Sequence, residues 1–209
     1  MSARIVFSCL LVLLAGTAGV RAQERDRAAS EPPSPDSLPR LSQNDSTGDR
    51  QARLDRLFER LAGATTADDA RRYEAGIESL WRQSGSDTAD LLISRALELV
   101  NAEDQAGALK MLGAALEVKP DNAEGWNKRA TLFFLRGDFS HAMRDIRETL
   151  RYEPRHYGAW AGLGRILEQT GDDARALDAY RRALAINPQI DGLREQVRTL
   201  ATKVRGEEL

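Results

Sequence analysis

The stretch GDFSHAMRD, residues 137–145, places Ser140, His141 and Asp145 close together in the chain. Those residue types make a hydrolase triad when an imidazole reaches the serine hydroxyl and a carboxylate holds the imidazole. Neighbours on a helix point about 100° apart, so Ser140 and His141 cannot present to one another on a helix. His156 is the only other histidine and Cys9 the only cysteine, so a zinc or haem site lacks ligands. Gly162 and Gly164 fall inside a helical pattern with no strand before them, which argues against a phosphate-cradling loop. Carboxylates stand mostly beside arginines, as in Arg144-Asp145 and Arg147-Glu148, which reads as a solvated helix face with local pairing. These residues imply no enzyme, no metal and no cofactor.

The elements that position them follow from composition and spacing. The chain has 209 residues, is 42% hydrophobic and 30% charged, and only 6% aromatic, a mix that favours helices. A net charge of −2 argues against a nucleic-acid partner, which needs a basic excess against phosphates. MSAR, the uncharged run Ile5 to Val20 and the small residues Val20 and Ala22 have the layout of a secretory signal peptide over 1–22, cut after Ala22. An uncleaved anchor is the alternative, although the run is shorter than the roughly 20 residues of a spanning helix. With Cys9 inside the leader, the mature chain would carry no thiol. Residues 23–50 hold Pro32, Pro33, Pro35 and Pro39 among Ser, Asp and Arg, and are expected to form a disordered linker.

The remaining prolines, Pro120, Pro154 and Pro188, recur at intervals of 34 residues. The same shift superposes Ala108, Ala142 and Ala176, then Leu116, Leu150 and Leu184, and Trp126 on Trp160. Three units follow, 89–122, 123–156 and 157–190, each reading as two helices. In the third, Trp160, Leu163, Gly164 and Leu167 form one apolar stripe, and Ala176, Leu177, Tyr180, Ala183 and Leu184 the facing one. Gly171-Asp172 makes the turn between them, and Pro188 ends the second helix. The opening stretch now has an address. Gly137-Asp138 is the turn of the second unit, Ala142, Met143 and Ile146 are its buried stripe, and Ser140, His141 and Asp145 are expected on the solvated side.

The units resemble the tetratricopeptide repeat. Trp160, Leu163-Gly164, Ala176, Tyr180, Ala183 and Pro188 fit its pattern, whereas Arg129 and Arg95 stand where the family has leucine. The resemblance implies an all-α, right-handed superhelix of stacked helix–turn–helix units. Residues 51–88 read as a degenerate helical pair ahead of the units, with Glu74 in place of the small residue of the crossing. Residues 191–209 read as a capping helix and tail, with Leu193, Val197 and Leu200 on one face.

In such arrays the first helices line a concave groove. By resemblance, the groove positions are Asp90, Ile93, Leu97 and Val100 in the first unit, Glu124, Asn127, Thr131 and Phe134 in the second, and Gly158, Ala161, Arg165 and Glu168 in the third. Apolar Ile93, Leu97 and Phe134 either receive a partner or are covered by neighbouring helices. The carboxylate clamp of some family members is not carried over, because its positions hold Ile93, Leu97, Lys128, Gly158 and Gly162. The expected function is a non-enzymatic interaction module in the bacterial periplasm, binding a peptide or helix of a cell-envelope protein. Self-association as a structural component is the alternative, and no stable membrane insertion is expected once the leader is cut.

Overall fold

The computed structural model describes residues 47–207, which are all-helical. They form α1 (Thr47–Ala62), α2 (Ala67–Arg82), α3 (Asp87–Asn101), α4 (Gln105–Val118), α5 (Ala123–Leu135), α6 (Phe139–Tyr152), α7 (Tyr157–Gln169), α8 (Asp173–Ile186) and α9 (Leu193–Glu207). The expected leader and most of the expected linker lie outside the described residues. The linker boundary is corrected at its end: residues 47–50 are the first turn of α1. Arg50 donates through Nη2 to the Leu80 carbonyl at 2.6 Å, a tie to α2 that composition does not reveal.

Three helix pairs, α3–α4, α5–α6 and α7–α8, carry the closest packing and stack in chain order, with α9 against α8. Each turn repeats the same chemistry. Asp104, Asp138 and Asp172 cap the second helices by accepting from the backbone N–H three residues on. The residue before each cap lies in the left-handed region: Glu103 at φ 62°, Gly137 at 73° and Gly171 at 82°. Only the first unit places a side chain in that conformation. Gly164 permits the crossing of α7 and α8, because a Cβ there would overlap the Tyr180 ring.

A second periodic bond joins successive units. Trp126 Nε1 donates to the Pro120 carbonyl at 2.7 Å, and Trp160 Nε1 to the Pro154 carbonyl at 2.9 Å. Arg194 Nε donates to the Pro188 carbonyl at 2.8 Å. Arg194 follows Trp160 by the same 34 residues, so α9 sits as the first helix of an unfinished fourth unit. It covers the last apolar face with Leu193 and Leu200 inward.

The N-terminal pair does not extend this stack. α1 and α2 pack on one another, with Gly76 lying against the Leu57 side chain. α2 then makes little contact with α3, its neighbour in sequence; α1 reaches α8 and α2 reaches α5. The pair therefore lies against the array's inner helices and far end. Glu74 faces the array there and accepts from Asn187 Nδ2. An apolar stripe reveals that a helix is buried but not against what, so the sequence pattern could not distinguish the two placements.

Candidate functional site: the concave face and the helical pair seated on it

The inner face is built from α5 and α7, which touch directly. α2 lies over them, and a cavity of about 310 Å³ remains between α2, α5, α7 and residues 187–191. Its wall on α5 carries Asn127, Thr131 and Phe134, and on α7 it carries Gly158, Ala161, Gly162 and Arg165. Arg71, Glu74 and Glu78 of α2 close the opposite side. The structure thus gathers six of the expected groove positions, Asn127, Thr131, Phe134, Gly158, Ala161 and Arg165, around one space.

The other expected groove residues are placed differently. Ile93 is 4% exposed and belongs to the α3–α4 core, so it is no solvent-facing groove residue. Leu97 is 38% exposed and Val100 half-buried, away from the cavity. Asp90 accepts from the Ser84 backbone N–H at 2.9 Å and shapes the turn before α3. Glu168 accepts from the Tyr180 hydroxyl at 2.7 Å and from Gln196, tying α7 to α8 and α9. Burial and this hydrogen bond to Glu168 raise the Tyr180 phenol above its ordinary range.

Glu124 is buried as well, accepting from Lys128 Nζ at 2.7 Å and lying 3.0 Å from His156 Nε2. His156 Nδ1 accepts the Ala159 backbone N–H at 3.1 Å, so the ring proton that serves Glu124 is on Nε2. Burial pushes the Glu124 carboxyl up, but the His156 hydrogen bond and the Lys128 ammonium outweigh it and hold it at about 2. His156 occupies the helix-capping slot that Asn122 fills one unit earlier. That equivalence was the available signal for a buried structural histidine.

The pair seats on this floor through residues that groove positions alone do not mark. Trp81 stacks on His156 with ring centroids 4.2 Å apart and planes 7° from parallel. The Arg155 guanidinium lies 4.3 Å from the centre of the Phe58 ring and donates to Asp55 at 2.8 Å. Gln189 Nε2 donates to the Ala64 carbonyl at 3.0 Å. Tyr157 and Ile186 complete the apolar cluster of the pair. Burial together with the Glu74, Glu78 and Glu124 carboxylates raises the Tyr157 phenol.

The triad look-alike is not assembled. Ser140 and His141 are exposed, and His141 Nδ1 meets the capping Asp138 at 2.7 Å. Asp145 corrects the expectation of a solvated position: it is 0% exposed. It accepts from Arg129 Nε at 2.7 Å and Nη2 at 2.9 Å, a two-pronged pair inside the second unit. Arg129 stands where the repeat pattern has leucine, and Asp145 is its compensation. Among the described residues no helix is long and apolar enough to cross a membrane.

Comparison with known proteins agrees with this architecture. The tetratricopeptide repeat family profile matches residues 93–146 and 136–189. A TPR repeat-containing protein of Rhizobium etli is 38% identical over 166 residues, covering 79% of this chain and 81% of that one. The chain belongs to the tetratricopeptide repeat family. Among solved structures, the first tetratricopeptide domain of Spaghetti, bound to an HSP90 peptide, superposes with a TM-score of 0.55 at 17% identity, covering 57% of this chain and 95% of that one. The Sgt2 domain of Aspergillus fumigatus gives 0.54 at 21% identity, covering 59% and 83%. These likenesses show the fold: stacked helix pairs with an extended concave surface.

Proposed function

We propose that the protein is a non-enzymatic adaptor of the bacterial periplasm that binds a helix or peptide of a cell-envelope protein on its concave face. The leader over 1–22 would direct export and be cut after Ala22, and the proline-rich residues after it would let the array reach its partner. One observation carries the reading: the concave face holds an amphipathic helical pair through a Trp81–His156 stack and an Asp55–Arg155 ion pair. A surface that seats one amphipathic helix has the shape and chemistry to seat another. Glu124 and Glu168 support the non-enzymatic part, because each is committed to a hydrogen bond between helices, to His156 and to Tyr180. Self-association is the second reading, favoured by Leu91 of α3, which is 71% exposed.

Photo-crosslinking in the exporting cell tests both, with a probe at Phe134 on the cavity wall and a control at Asp178 on the outer face of α8. A heterologous band from Phe134 alone is expected. A band of twice the monomer mass supports self-association, and crosslinking from Asp178 alone refutes the concave face as the working surface.

A further inference from the structure

We propose that the α1–α2 pair is a built-in ligand of the concave face, displaced by a partner helix that presents an aromatic ring to His156 and a carboxylate to Arg155. The proposal rests on the reading of that face as the partner site and adds its regulation and the partner's chemistry. Three observations carry it.

The first is the pair's independence. Leu61 and Ile77 are fully buried in a cluster whose buried members all belong to the pair, so it carries a core of its own. Its chain connection to the array is the short stretch 83–86, where Gly85 takes φ 82°, and α2 hardly touches α3. Opening therefore costs no break in the repeat stack.

The second is an imperfect fit. The Trp81 indole N–H and the Tyr157 hydroxyl, both at the seat, are buried without a hydrogen-bond partner. Unsatisfied buried donors weaken an interface, and a ligand that pairs them gains what the resident pair forgoes. The cavity of about 310 Å³ under α2 adds unfilled space to the same contact.

The third is the pattern of the seat. The ring of Trp81 lies flat on His156, and the Asp55 carboxylate reaches Arg155 beside Phe58. A competing helix must repeat this pairing of an aromatic group and an acid to take the place.

The test uses the full chain and, as probe, a fluorescein-labelled synthetic peptide of residues 47–83, with binding read by anisotropy. Trp81→Ala in the chain releases the resident pair, and the labelled peptide is expected to bind that variant at least ten-fold more tightly than wild type. Asp55→Arg opens the seat without touching the pair's core and is expected to act in the same direction, with faster amide exchange in α1 and α2. A peptide bearing Asp55→Arg should lose affinity for the Trp81→Ala chain and regain it when that chain also carries Arg155→Glu. Equal binding to wild type and to both opened variants overturns the gating, and indifference to Arg155→Glu overturns the seat. A wild-type species of twice the monomer mass that Trp81→Ala converts to monomer would place a second copy's pair in the groove, which also overturns it. The Phe134 crosslink separates the two ideas. A partner captured equally by wild type and Trp81→Ala leaves the adaptor standing and removes the gating. No partner in either removes the adaptor, while the peptide titration still decides the gating.

Discussion

Removing Asp145 puts the clearest energetic demand on the second unit. Its carboxylate is fully buried and receives two hydrogen bonds from Arg129, whose guanidinium also lies 4.7 Å from the centre of the Trp126 ring. Asp145→Ala leaves the largely buried guanidinium without its counter-ion, and breaking a buried pair from one side costs about 3–5 kcal/mol. Replacing both members behaves differently, because desolvation of both charges is then removed along with their attraction. The third unit shows the apolar solution at the same positions 34 residues on, Leu163 and Ala179. Arg129→Leu with Asp145→Ala is therefore expected to recover stability to within about 1 kcal/mol of wild type, or to exceed it. Urea unfolding followed by far-ultraviolet circular dichroism measures both. A single substitution costing under 1 kcal/mol would mean that the pair is solvated. A double substitution as damaging as the single one would mean that charge burial is not the governing energy.

Lowering pH tests Glu124. Its carboxyl is held at about 2 against 4.5 when unfolded, so its contribution is fully present above pH 4.5 and lost as pH falls toward 2. That difference amounts to about 3 kcal/mol, and Glu124→Gln should flatten the acid limb of the stability curve. Glu103→Gly should raise stability by about 1 kcal/mol, seen as a higher urea midpoint, because Glu103 holds the left-handed turn conformation that glycine supplies in the other two units. Gly164→Ala should cost about 1–3 kcal/mol in the same assay, since the added methyl meets the Tyr180 ring. Asp55→Ala should leave the urea midpoint nearly unchanged, because its ion pair with Arg155 is largely solvated.

Much of the architecture is local and therefore legible in sequence. Gly171-Asp172 and Gly137-Asp138 make the same turn, Pro154 and Pro188 accept the same indole or guanidinium donor, and Gly164 is small because Tyr180 crosses it. Each depends on residues within one unit or its immediate neighbour, and a 34-residue repeat displays such requirements several times over. The cavity wall of Asn127, Thr131, Phe134 and Arg165 falls at positions that the resemblance to the tetratricopeptide repeat, rather than the period itself, assigns to the inner face.

What the period cannot encode is which groups meet across the fold. Arg129 and Asp145 each look like surface charges, and only the crossing of α5 and α6 makes them a buried pair. Glu124 in the first turn of α5 and His156 at the cap of α7, 32 residues apart, became a hydrogen-bonded unit when the two helix starts were brought together. The placement of α1 and α2 is the extreme case, resting on Asp55 with Arg155 and Ala64 with Gln189, contacts that span 100 and 125 residues. The sequence by itself determined the repeat, its turns and its crossings, because those follow from backbone conformation and side-chain size at recurring positions. Only the tertiary structure decided that the inner face is already occupied, because that depends on the complementarity of two distant surfaces, each compatible with other neighbours until they meet.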